Sequence, residues 1–296
     1  MRPDDPDPPH GKPILVAYDG SRSARTAVSW AAAEAASSGR SLRLAHVMRW
    51  PLPELDRLLL PASVHNAGRA RRSAVDLVGA AVDWCRRLAP GVDVRGEALT
   101  GGAIDLLAKL ATEASMLVLG ASGQTASPQV LLGSSAAELA RRVTVPVAVI
   151  RDVPEDNRTR AVVIGVDGSP AGARAVQSGF DVAARRGLGV VAVHAWSDLP
   201  LEALGLRADV EGERGRKDGA ALLAEQLSEV CRLYPQARVD EVVALDRPAR
   251  ALLDRATGAA LLVVGRHGRA SGSDMPLGSV CHAVLHYAPC PVLITG

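Results

Sequence analysis

Aromatic side chains are scarce in this chain: four Trp, three Tyr and one Phe among 296 residues. Any core must therefore be packed from Ala, Val and Leu, and nothing supplies the aromatic sandwich expected of a flavin carrier. Cysteine is equally sparse. Cys85, Cys231, Cys281 and Cys290 include no C-x-x-C pair and are too few for a disulfide scaffold of this length, so a reducing, cytoplasmic setting is expected. All four are expected to serve as buried apolar packing. An excess of one charge sign is missing too, with 34 Lys and Arg against 32 Asp and Glu. A net charge of +2 argues against nucleic acid or an acidic membrane as the main partner. No apolar run approaches the roughly 18 to 20 residues of a membrane span. The opening MRPDDPDPPHGK has neither the positive start nor the apolar core of a secretory signal, and reads as a disordered lead-in over residues 1–12. Two catalytic signatures are absent as well. Without G-x4-G-K-[S/T] there is no P-loop lysine for terminal phosphates, and without G-x-S-x-G there is no nucleophile elbow.

What remains is ordinary globular material, 48% hydrophobic and 22% charged, in a length that suggests about two domains at roughly 100 to 200 residues each. Residues 13–18 (PILVAY) form a short apolar run that ends at Asp19-Gly20-Ser21, after which ARTAVSWAAAEAASS reads as an Ala-rich helix stopped by Gly39. Strand, helix and turn then alternate. Strands are expected over 41–48, 92–99, 116–119 and 145–150, and helices from about Asn66 to Leu88, over 103–113 and over 134–142. Residues 50–61 read as a loop. The basic run Arg69, Arg71 and Arg72 reads as a solvated helix face.

Residues 152–160 are polar and without periodicity, which marks a linker between a domain over 13–151 and a second over 161–296. Beyond the linker the order begins again, with Asp167-Gly168-Ser169, a strand over 189–195 that contains His194, and a long helix around 218–233. Early landmarks recur after 148 residues (Asp167 against Asp19, His194 against His46) and later ones after 145 (Gly265 against Gly120, Gly278 against Gly133). The chain is a tandem duplication. Each copy alternates strand and helix five strands long, which predicts an α/β fold of two doubly wound, five-stranded parallel-sheet domains with right-handed crossovers.

The most informative stretch is GRHGRASGSDMPLGS, residues 265–279, and its copy GASGQTASPQVLLGS, residues 120–134. Each reads as a strand end, two glycines three apart, nine further residues, then Gly-Ser opening a helix. Glycines let backbone lie close to a ligand, and a helix start offers unpaired N–H groups and the positive end of a dipole. Gly265, Gly268, Gly278 and Ser279, like Gly120, Gly123, Gly133 and Ser134, thus form a candidate phosphate cradle. In a doubly wound sheet, ligands sit beyond the carboxyl ends of the strands where strand order reverses. Asp19 and the first cradle should then face each other, as should Asp167 and the second. A nucleotide across each gap would donate from base or ribose to the carboxylate. The same aspartates could instead simply organise the turn that starts a helix. His46 and His194 are expected to pack beside the pockets and not to act in them.

These residues closely resemble the universal stress proteins, in their tandem two-domain form and their ATP-binding branch. The G-x2-G-x9-G-[S/T] pattern carries the resemblance, which covers nearly all of residues 13–296. It implies a Rossmann-like domain with strand order 3-2-1-4-5 and an adenine nucleotide between strands one and four. Base and ribose contacts are implied at Ala17, Asp19 and Val47, and at Gly165, Asp167 and Ala195. Phosphate contacts are implied at Gly120, Gly123, Gly133, Ser134 and Ser135, and at Gly265, Gly268, Gly278, Ser279 and Val280. The final strand resembles the family's pairing edge, which implies domain-to-domain or homodimer contact. The cofactor implied is ATP, with Mg²⁺ admitted, and the role a nucleotide-dependent regulator in stress response. A slow Mg-dependent ATP hydrolase in the same pocket is the alternative, with Mg²⁺ bridged by Ser134 or Ser279, and a nucleotide-free scaffold is a further one. The two halves differ in charge. Arg266, His267 and Arg269 stand where the first half has Ala121, Ser122 and Gln124, so the second site is expected to hold a triphosphate more tightly.

Overall fold

The structure is a computed structural model that describes residues 11–48, 62–123, 132–151, 161–196, 208–268 and 277–296. Strands and helices alternate through them. The first half gives β1 (Ile14–Ala17), α1 (Arg22–Ser38), β2 (Leu42–Met48), α2 (Ala62–Leu88), β3 (Val94–Thr100), α3 (Ala103–Ala111), β4 (Met116–Gly120), α4 (Ser134–Arg142) and β5 (Val147–Ile150). The second gives β6 (Ala161–Gly165), α5 (Pro170–Arg186), β7 (Gly189–Ala195), α6 (Ala208–Leu233), β8 (Val239–Ala244), α7 (Pro248–Ala256), β9 (Leu261–Gly265), α8 (Ser279–Tyr287) and β10 (Val292–Thr295). The expected loop over 50–61, the linker over 152–160 and nearly all of the lead-in lie outside the described residues. Among those that are described, no helix is long and apolar enough to cross a membrane. Two compact units emerge, Met1–Val145 and Pro146–Gly296.

In the first unit the strands run parallel in the order β3-β2-β1-β4. Leu15, Val16, Leu117 and Val118 are fully buried, as continuous apolar runs must be when a parallel sheet is covered on both faces. Helices α1 and α2 pack together, and so do α3 and α4. Ser21 caps α1 by accepting from the Ala24 N–H, and Gly39 ends it in the left-handed conformation at φ 66°. Helix α2 starts at Ala62, ahead of the expected start near Asn66, and lies so close on β3 that a Cβ at Gly96 would come within 2.4 Å of Val78. Arg69, Arg71 and Arg72 are exposed on α2.

The second unit has the order β5-β10-β9-β6-β7-β8. Its own five strands run parallel and reproduce the order 3-2-1-4-5 when counted within the repeat. The sixth is β5, the last strand of the first repeat, which pairs antiparallel with β10 through Val149 opposite Val292 and Val147 opposite Ile294. All residues of both strands are buried, so the pairing covers an edge that would otherwise expose unpaired backbone. Arg151 continues from β5 and donates to the carbonyls of Leu285 and His286 at the C-terminal end of α8, where a cation complements the helix dipole. Burial pulls its guanidinium below the usual arginine range. The fully buried Phe180 anchors α5 in the core.

Candidate functional site

In each unit the first strand is flanked by the second on one side and the fourth on the other, which makes the end of that strand the point where strand order reverses. The turn after it is tight. Gly20 and Gly168 have φ of 80° and 76°, a left-handed conformation that favours glycine. The Ser21 N–H donates to Asp19 Oδ1 at 2.9 Å and the Ser169 N–H to Asp167 Oδ1 at 2.9 Å, with the Ser169 hydroxyl adding a second bond at 2.7 Å. One carboxylate oxygen therefore organises the turn. The other faces the glycine loop: Oδ2 of Asp19 lies 3.2 Å from where a Gly123 Cβ would stand, and Oδ2 of Asp167 2.8 Å from the matching point at Gly268. Of the two expected roles, the turn-organising one falls to Oδ1.

The loop after the fourth strand is pinned at both ends. The Gly133 N–H donates to the Ala121 carbonyl at 2.7 Å and the Gly278 N–H to the Arg266 carbonyl at 2.9 Å. Helix α4 begins with Ala137 bonded to the Gly133 carbonyl, so the amides of Ser134, Ser135 and Ala136 precede its first intrahelical bond. In α8 the first bond is His282 to Gly278, which leaves Ser279, Val280 and Cys281 in the same position. All six residues line the cavities described next.

A cavity of about 450 Å³ occupies the first gap and brings together all eight residues expected there, Ala17, Asp19, Val47, Gly120, Gly123, Gly133, Ser134 and Ser135. One of about 290 Å³ occupies the second, with Gly165, Asp167, Ala195, Gly265, Arg266, His267, Gly268, Gly278, Ser279 and Val280 on its walls. Both are of small-ligand scale. Arg269 lies outside the described residues. Gly120 and Gly265 have a further, packing reason to be glycine. A Cβ on Gly120 would come within 2.7 Å of the Ser23 backbone, and one on Gly265 within 2.7 Å of the Ala171 backbone. Their smallness lets the strand end meet the start of α1 or α5.

Arg266 is buried, at 8% exposure, and the Arg266 N–H donates to the Thr295 carbonyl. Burial lowers its pKa, while the neighbouring Cys281 thiol is pushed up to about 12 by its own burial. The cation is thus buried close to Cys281 of α8. His46 and His194 line the cavities too, and each ring Nδ1 donates to the carbonyl after the first strand, to Tyr18 at 2.7 Å and to Val166 at 2.8 Å. They brace the turn, as expected of residues packed beside a pocket. Cys85, Cys281 and Cys290 are buried, whereas Cys231, expected to be, is partly exposed on α6.

Sequence reasoning missed part of each wall. Ala103 and Leu107 of α3 close one side of the first cavity, and Pro248 and Leu252 of α7 the same side of the second. The apolar spacing of these short helices was the available signal, but it does not say which apolar residue meets a ligand space. Trp196, directly after β7, was also missed.

A family model described as the universal stress protein family matches residues 11–151 and 158–296. Universal stress protein Rv2005c of Mycobacterium tuberculosis is 36% identical over 293 residues, covering 96% of each chain. Universal stress protein Rv1996 of the same organism is 36% identical over 297 residues, covering 95% of this chain and 94% of its own. Among solved structures, a universal stress protein from Archaeoglobus fulgidus superposes with a TM-score of 0.67 at 17% identity, over 95% of this chain and 97% of that one. That likeness is one of fold.

Proposed function

As the chain belongs to the universal stress protein family, through both of its halves, we propose that each cavity binds an adenine nucleotide, with ATP as the expected ligand, and that occupancy regulates a protein partner during a cytoplasmic stress response. One observation carries this reading. Twice over, the residues that carry the three leading amides of a helix line one cavity with a carboxylate from the reversal point of a parallel sheet. The amides and dipole suit a phosphate chain, and the Asp oxygen suits a ribose or base donor. The apolar walls from α3 and α7 suit the rest of a nucleoside.

A Mg²⁺ accompanying the phosphates would find hydroxyl ligands at Ser134 or Ser279 and complete its shell with water and phosphate oxygens. The final strand is not available as a dimer edge, because β9 and β5 occupy its two sides. A homodimer would use another surface.

Titration calorimetry of the full chain with ATP and magnesium tests the reading, together with mass spectrometry of any small molecule released on denaturation. Two binding events, or co-purified adenine nucleotide, support it, and no heat at millimolar ATP removes it. Radiolabelled ATP decides between binder and hydrolase. Retained intact ATP supports the binder; phosphate release that disappears in Gly278→Val moves the assignment to a slow hydrolase.

A further inference from the structure

The two cavities are built differently where a base would lie. Trp196 lines the second cavity. Its counterpart 148 residues earlier is Met48, and Met48 is not among the described residues that line the first. The indole has been given its place by a glycine. A Cβ on Gly215 of α6 would lie 2.5, 2.6 and 2.7 Å from Cε2, Cζ2 and Cδ2 of Trp196, so three ring atoms are nearly equidistant from the helix and the ring lies flat across it. Any larger residue at 215 would expel the ring. A glycine inside a helix weakens it relative to alanine, and here packing supplies the reason. Helices α2 and α6 end 145 residues apart, at Leu88 and Leu233, which sets Ala70 against Gly215; a Cβ stands at that position, so this glycine seat is absent from the described residues of α2. Last, Nε1 of Trp196 is buried and has no hydrogen-bond partner among the described residues. An indole donor in that condition gains from any acceptor that enters.

We propose that Trp196 is the base-reading plate of the second cavity, so that this cavity selects flat heteroaromatic ligands carrying a hydrogen-bond acceptor, as a purine nucleotide does; no tryptophan is among the described residues that line the first cavity. The inference rests on the nucleotide reading of both cavities and goes further in assigning base selection to one of them. Helix α6 clamps one face of the indole against Gly215, which leaves the base to meet it from the cavity. Ring stacking supplies affinity that depends on the base and not on the phosphates.

The test uses the full chain and two probes, ATP and inorganic tripolyphosphate, with calorimetry and tryptophan emission as readouts. ATP should quench part of the emission of the wild-type chain. In Trp196→Phe that quench should vanish, while ATP binding at both sites stays within about threefold, because Phe still stacks. In Trp196→Leu one of the two ATP sites should weaken about tenfold with tripolyphosphate unchanged, on the scale of one lost base stack. Unchanged ATP affinity in Trp196→Leu, or ATP quenching that persists in Trp196→Phe, overturns the proposal and leaves the nucleotide reading in place. Failure of the wild-type chain to bind ATP overturns both. Should Trp196→Leu melt early, the Phe variant alone still decides through its lost or retained quench.

Discussion

Replacing Gly265 with alanine should damage folding, whereas replacing Gly268 should damage ligand binding, although both belong to one loop. A Cβ on Gly265 would meet Ala171 C at 2.7 Å, Ala171 O at 2.9 Å and Gly172 N at 2.9 Å. All three are backbone atoms in the first turn of α5, which cannot swing aside as a side chain can. Relief requires β9 and α5 to separate by several tenths of an ångström within a close-packed interior. Overpacking of that kind costs about 1–3 kcal/mol. For a unit of some 150 residues this corresponds to roughly 2–4 °C of Tm per kcal/mol. A Cβ on Gly268 instead meets one atom, Asp167 Oδ2, at 2.8 Å. That oxygen ends a side chain and can shift slightly. The Gly268→Ala variant should therefore melt within about 0.5 kcal/mol of the wild type, while its displaced carboxylate and narrowed gap weaken ATP. Urea unfolding monitored by circular dichroism measures the first effect, and calorimetry the second. If Gly265→Ala proves as stable as the wild type, or if Gly268→Ala loses as much stability as Gly265→Ala, the division of roles between the two glycines is wrong.

Three further outcomes follow from the same geometry. Asp19→Asn and Asp167→Asn keep an Oδ1 acceptor for Ser21 and Ser169, so they should fold normally, yet lose about tenfold in ATP affinity through the charged acceptor they remove. Wild-type affinity in both, measured by calorimetry, would confine these residues to the turn. Arg266→Ala combined with His267→Ser gives the second loop the first loop's side chains at those positions, and should shrink its preference for ATP over AMP about tenfold. An unchanged preference would assign triphosphate selection to backbone amides alone. Burial pushes the Cys85 thiol up to about 11 and those of Cys281 and Cys290 to about 12, while the unfolded chain releases these protons near pH 8.5. Above that pH the unfolded state holds fewer protons than the folded one, so stability falls as pH rises towards 11 or 12, by about 1.4 kcal/mol per unit for each thiol. Urea midpoints between pH 8 and 10.5 check the slope, which Cys281→Ala should reduce.

Much of the site is legible in the amino-acid order, because its parts are local. Helix α4 begins and ends where the Gly-Ser start and the closing arginines place it, at Ser134 and Arg142. The Asp-Gly-Ser turns are legible for the same reason, since a cap, its acceptor and a left-handed glycine all lie within three residues. Helix α6 is not legible at its start. It begins at Ala208, where a charged, glycine-bearing segment opposes helix propensity, and Gly215 has its reason only in the indole lying across it.

The duplication, the alternation that dictates a parallel doubly wound sheet, and the chemistry at each strand end are properties of neighbouring residues, and the order of the amino acids determined them. Which strand would cover β10, why Gly265 must lack a side chain, and what stands beside Trp196 depend on segments tens to more than a hundred residues apart. Only the tertiary structure decided those, because hydrophobic burial and strand pairing act between surfaces that no local pattern brings together.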